Sequence, residues 1–161
     1  MKKKVYSVII QARMGSTRLP NKVLKKIGNQ KVIELLIQRL KKVKKISKII
    51  VATTTSSEDD VLCDFLKKKK IIYFRGPKKN VLKRFYLCAK INNLDNIFRI
   101  TADCPLVDPE IINEAIRKYD NKKIDYLSNT LPPSFPDGLD FELFNFDTLK
   151  KTFLNAKKNM T

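Results

Sequence analysis

The run Val5-Tyr6-Ser7-Val8-Ile9-Ile10-Gln11-Ala12-Arg13-Met14-Gly15-Ser16-Thr17-Arg18-Leu19-Pro20-Asn21-Lys22 begins apolar and changes character within a few residues. Val5 to Ile10 predicts a buried first strand, because a short apolar run bounded by turn residues suits a strand covered on both faces. Two arginines, a lysine, a glycine and two hydroxyl residues are then packed between Gln11 and Lys22. Gly15 is expected to let the backbone turn tightly and approach a ligand, and Pro20 to stiffen the loop before the chain moves on. Arg13, Arg18 and Lys22 can converge if the loop folds back, and three cations with exposed N–H groups at the carboxyl end of a strand suit an oligophosphate. The alternative is a basic surface turn. The loop lacks the G-x-x-x-x-G-K-[ST] pattern, so it is not a Walker A sequence.

The rest of the chain places this loop in an alternating pattern. Val32, Ile33, Leu36, Ile37, Leu40 and Val43 recur at helical spacing and predict an amphipathic helix from about Lys31 to Lys44. Ile49 to Ala52 reads as a second strand, ending in Thr53-Thr54-Thr55. Ser57 is expected to cap the next helix, with acids in its first turn. Ile71 to Phe74 predicts a third strand and Ile97 to Ile100 a fourth, with a helix capped by Asn80 between them. Asp108-Pro109 is a helix start, with aspartate at the cap and proline at the first helical position. Ile124 to Leu127 and Leu139 to Leu143 read as strands flanking an irregular loop, Leu131 to Gly138, and a last helix begins near Phe146. Four strand–helix alternations predict an α/β fold with a mostly parallel, Rossmann-like sheet and right-handed crossovers. No internal repeat and no domain boundary is visible, so residues 1–161 read as one domain.

In such a sheet, ligands bind beyond the carboxyl ends of the strands. The residues to inspect are therefore Arg13 to Lys22, Thr53 to Thr55, Arg75-Gly76 and Thr101 to Leu106. Asp103 comes directly after the fourth strand. A carboxylate there suits Mg²⁺, which takes one or two carboxylates and otherwise phosphate oxygens; it equally suits an Asx-type turn. Asp108 reads as a helix cap. The threonine run fits either a base pocket or a strand end.

Composition excludes several chemistries. With no histidine in 161 residues, no His base, triad or His-ligated metal is available. Cys63, Cys88 and Cys104 are scattered without metal spacing and read as reduced core residues of a cytosolic protein. Met1 to Lys4 is basic, but the apolar run behind it is too short for a signal peptide. No stretch reaches membrane-spanning length. Net charge is +18. Nucleic acid is one partner such a charge suggests. The lysine runs 41–45 and 67–70 lie at predicted helix ends, where they favour the helix dipole and solubility, so a nucleic-acid surface is the weaker reading.

The segment Gln11 to Lys22 resembles the amino-terminal signature of the cytidylyltransferases that activate acidic sugars, the acylneuraminate and 3-deoxy-manno-octulosonate enzymes. It most resembles the branch named after the spore coat polysaccharide biosynthesis protein F. Arg75-Gly76-Pro77 with Asn80 to Tyr86 is similar to that family's R-G-x-x-x-x-V-L-x-R-[FY] segment, Asp103-Cys104-Pro105 to its D-x-P metal site, and Pro136 to Glu142 to the branch's P-D-G-x-D-x-E stretch. The resemblance implies a nucleotide-diphospho-sugar transferase fold and a reaction moving CMP from CTP onto a sugar hydroxyl, with release of pyrophosphate. It implies catalytic roles for Arg13, Arg18 and Lys22, and nucleotide contacts for Ala12, Gly15, Ser16, Thr53, Arg75 and Gly76. Asp103 would hold Mg²⁺, and Asp140 and Glu142 would lie on the sugar side; the alternative is that they are solvated acids alternating on an edge strand. Arg84 would serve either the site or a structural salt bridge. An acidic sugar is the expected acceptor.

Family members usually continue well past the position of Thr161 and draw a second metal carboxylate from that later region. The chain is therefore expected to be C-terminally incomplete, to bind CTP, to turn over poorly, and to self-associate as a homodimer where an apolar strip is left uncovered. Use of another nucleoside triphosphate, and a non-catalytic nucleotide-sugar- or RNA-binding domain, are the alternative functions.

Overall fold

The computed structural model describes residues 4–15, 19–122 and 124–158. Six strands form one sheet in the order β5-β4-β1-β6-β8-β7: β1 (Tyr6–Gln11), β4 (Ile46–Thr54), β5 (Tyr73–Gly76), β6 (Asn96–Thr101), β7 (Tyr126–Ser128) and β8 (Glu142–Asn145). The pairs β5–β4, β4–β1 and β1–β6 are parallel, while β8 runs antiparallel to both β6 and β7. A two-stranded ribbon, β2 (Lys26–Ile27) and β3 (Gln30–Lys31), precedes the first helix.

Helices cover both faces, which is why the parallel strands are apolar without alternation. Val8 and Ile10 of β1 join the layer formed by α1 (Val32–Leu40), α2 (Asp60–Lys68) and α4 (Pro109–Asn121). Ile9 points the other way, into the layer of α3 (Val81–Ile91) and α5 (Phe146–Lys158). The expected caps of α3 and α4 are present: Lys83 N–H donates to Asn80 Oδ1 and Glu110 N–H to Asp108 Oδ1, each at 2.8 Å. The three cysteines are buried free thiols.

Three local expectations are corrected. Helix α1 stops at Leu40, and Lys41 to Lys45 lie beyond it rather than on it. Ser57 does not cap α2; it sits inside a 3-10 turn, Ser57–Asp59, that precedes the helix. Asp140 and Glu142 are not on an edge strand. Asp140 precedes β8, and Glu142 begins it, between β6 and β7. Period-2 patterning cannot show which strands become neighbours, so the insertion of β8 beside β6 was not legible.

Candidate active site

The ends of β1, β4, β5 and β6 bring the predicted residues to one edge of the sheet. The 12–22 loop leaves β1 with Ala12 N–H bonded to Ala52 O at 3.2 Å, which extends the β1–β4 pairing by one residue. Ala12 is buried, so its backbone and not its side chain carries the chain to the loop. Arg13 is exposed. Ser16 and Arg18 lie outside the described residues. Gly15 does not adopt positive φ. Its lack of a side chain matters for another reason: a Cβ there would stand 3.1 Å from Glu58 Oε2.

The loop is held from below by Asp59, a residue whose importance no sequence pattern revealed. Its carboxylate accepts Met14 N–H at 2.7 Å, Thr54 N–H at 3.1 Å and the Thr54 hydroxyl. Burial pushes this carboxyl toward neutrality, but those donors outweigh it and keep its pKa below the usual carboxylate value. Asp59 thus ties the backbone of the 12–22 loop to the end of β4. Thr53 is fully buried beside it and forms part of this floor.

Lys22 and Asp103 meet in an ion pair and charge-assisted hydrogen bond. Burial opposes ionisation of Asp103, and the bonds from Lys22 and Thr101 override it, so Asp103 is held as a carboxylate at neutral pH. Asp140 lies near enough to feel the Asp103 charge. Burial, then Asp137 beside it, raise the Asp140 pKa, with Asp103 adding to the same direction. Asp140 lines the same cavity as Thr101, two residues before Asp103. Asn129 holds the Asp140 segment in place: its amide donates to Leu139 O, and its Oδ1 accepts Phe141 N–H, both at 2.9 Å.

Arg75 and Gly76 end β5. All three nitrogens of the Arg75 guanidinium are engaged: Nε donates to Thr54 O and Nη2 to Ser56 O, both at 2.9 Å, and Nη1 pairs with Asp60 at 2.7 Å. It straps the β4 exit to the start of α2. Gly76 is buried against Arg84, and a Cβ would meet Arg84 Cγ and Phe74 Cε1 at 2.8 Å. Arg84 makes no salt bridge among the described residues; its Nη1 donates to the carbonyls of Pro77 at 2.7 Å and Lys78 at 3.5 Å.

Glu142 is bonded to Arg99 at 2.6 Å, and Arg99 also donates to Gln11 Oε1 through Nε at 3.3 Å and Nη2 at 3.1 Å. A cavity of about 140 Å³ lies here, lined by Arg99, Thr101, Thr130, Asp140, Phe141 and Glu142. A second, of about 340 Å³, shares Arg99 and Glu142 and runs back between α3 and α5 along Phe85, Phe144 and Leu149. The smaller cavity, with the hydroxyls of Thr101 and Thr130 and the carboxylates of Asp140 and Glu142 on its lining, suits a polyol.

Comparison with known proteins agrees with this geometry. Residues 7–160 match the family profile described as cytidylyltransferase. An uncharacterized protein of Methanocaldococcus jannaschii is 43% identical over 150 residues, 93% of this chain and 60% of that protein. The spore coat polysaccharide biosynthesis protein SpsF of Bacillus subtilis is 34% identical over 145 residues, 88% of this chain and 59% of its own. A solved cytidylyltransferase from Leptospira borgpetersenii superposes with a TM-score of 0.84 at 35% identity, covering 91% of this chain and 62% of that one. The chain spans about 60% of the length of the curated relatives it matches.

Proposed function

The chain belongs to the cytidylyltransferase family, and we propose that it moves CMP from CTP onto a sugar hydroxyl in building a surface glycan. The observation that supports this best is the Lys22–Asp103 pair, which puts a phosphate-loop cation against the carboxylate just past β6. In the reaction the acceptor hydroxyl oxygen bonds to the α-phosphorus and gives up its proton to solvent, the bond from that phosphorus to the oxygen bridging it to the β-phosphorus breaks, and pyrophosphate leaves with the electron pair. Arg13 and Lys22, with Arg18 of the same loop, hold the β- and γ-phosphates and stabilise the charge gathering on pyrophosphate. Asp59 fixes the loop backbone so that these donors need not reorganise.

The donor set fits magnesium. Asp103 offers a hard, ionised oxygen with Asp140 nearby, and among the described residues no group of three or more His, Cys, Asp or Glu gathers as an all-protein cage. One or two carboxylates completed by substrate oxygens is the arrangement Mg²⁺ prefers. Asp103 would hold it, and the ion when bound would supply positive charge for the α-phosphate and lower the acceptor hydroxyl's pKa. Lys22 must then leave Asp103 for the phosphates. Asp140 and Glu142 orient the acceptor's hydroxyls, and Arg99 is the cation at hand for a carboxylate on an acidic sugar.

Pyrophosphate release from each of the four nucleoside triphosphates, with Mg²⁺ and a panel of acidic and neutral sugars, tests the proposal. CTP-dependent release with a CMP-sugar seen by mass spectrometry is expected. CTP binding without release under any acceptor would reduce the chain to a nucleotide-binding domain.

A further inference from the structure

We propose that Arg84 is a buried cation whose counter-charge arrives with the nucleotide: the polyphosphate, not a protein carboxylate, completes its pairing. The inference rests on the reading that the 12–22 loop receives that polyphosphate. Arg84 is 1% exposed and is the largest fully buried side chain among the described residues. An arginine this deep is normally paired with an acid, because an uncompensated charge in a low-dielectric interior is costly. Here no carboxylate lies within ion-pair distance among the described residues. Nη1 has two backbone carbonyls, which supply partial charge only, and Nε has no hydrogen-bond partner.

Arg84 packs against Gly76, which pairs with Thr54 at the end of β4, and Asp59 joins Thr54 to Met14, so Arg84 stands at the strand ends from which the 12–22 loop leaves. Asp59 attracts Arg84, but this carboxylate already accepts from Met14 and Thr54. Burial lowers Arg84's hold on the proton most, and Arg13, at the start of the loop, adds to this by repulsion. The two cations, Arg13 and Arg84, repel one another across this end of the sheet. Such a juxtaposition is unfavourable when empty and favourable with an oligophosphate in place. Gly76 belongs to the same device, since any Cβ there would push Arg84 Cγ out of its seat. The fold tolerates an unpaired charge at this point because the site uses it.

Calorimetric binding of CTP and of CMP with Mg²⁺, for the wild type, Arg84→Met and Arg84→Lys, tests the proposal beside melting curves. Arg84→Met should melt within about 3 °C of wild type or above it, as apolar volume replaces an unpaired charge. It should bind CTP ~10–100-fold more weakly, with CMP changed by less than ~3-fold. Arg84→Lys, which keeps the charge, should hold CTP within about 5-fold of wild type. If the wild type itself binds CTP no better than CMP, the reading of the loop fails. If the wild type prefers CTP and Arg84→Met keeps that preference, or loses CTP and CMP equally, only the role of Arg84 is overturned. Should Arg84→Met not fold, Arg84→Lys decides: a CTP preference lost although the charge remains overturns the proposal, and one retained sustains it.

Discussion

Lys22 and Asp103, 81 positions apart in sequence, close on one another across the mouth of the site. Each neutralises the other, and in the proposed reaction each takes a different partner, phosphate for Lys22 and metal for Asp103. Lys22→Met and Asp103→Asn should each lower kcat/KM by ~10²–10³, the loss typical of one preorganised charged group. The double variant's loss should approach the product of the two, since each residue serves a different partner in the reaction. Pyrophosphate-release kinetics on the three variants measure this; a double variant no worse than the poorer single one would show that the two residues act only as a pair.

Asp59 supports the loop without facing the ligand. In Asp59→Asn one acceptor oxygen becomes an NH₂ group opposite a backbone or hydroxyl donor, so a buried bond is lost and two donors confront each other. A loss of ~2–4 kcal/mol is expected. KM for CTP should rise more than kcat falls, because the tether to Met14 sets where the loop stands. Urea unfolding together with steady-state kinetics checks both parts. A stable variant with unchanged KM would remove Asp59 from the loop's support.

Gly76→Ala introduces a Cβ where Arg84 Cγ and Phe74 Cε1 already stand at 2.8 Å. Overpacking of this kind costs about 1–3 kcal/mol. Since φ at Gly76 is not in the left-handed region, strain of the backbone adds nothing, and the whole effect is steric. The melting temperature should fall, and part of the loss should be recovered in an Arg84→Ala background, where Cγ is gone. No recovery would mean that Phe74 is the obstructing neighbour.

Acid should weaken the fold through Asp120, at the opposite edge of the sheet. Burial opposes its ionisation, but hydrogen bonds from Lys45, Tyr6 and Lys4 prevail and hold its pKa down at about 2, against 3.8 when unfolded. The folded pKa is the lower one, so this stabilisation is fully present above pH 4 and is lost as pH falls toward 2. Its size is ~1–2 kcal/mol after discounting for partial exposure. Melting curves of wild type and Asp120→Asn between pH 5 and 2 should converge as the pH drops. A constant gap would place the acid sensitivity elsewhere.

Apolar runs, caps and loop composition were local properties, and they set out the alternating elements, the α/β class and the loop after β1. Asn80 and Asp108 cap as their positions require, because a cap depends only on the next few residues. Asp103 was legible for the same reason: a carboxylate just past a buried strand must lie at the sheet's ligand edge. Other features depend on which distant segments pack together. The antiparallel β8 beside β6 moved Glu142 from an expected edge to the sheet interior, against Arg99. Asp59 looked like a first-turn acid and became the loop's tether only because β1 and β4 are neighbours. Arg84 belonged to a legible motif, yet the lack of a carboxylate partner for it among the described residues is a fact of three-dimensional burial. Hydrophobic period and turn chemistry act over a few residues; charge pairing and desolvation are settled by whatever the fold brings alongside.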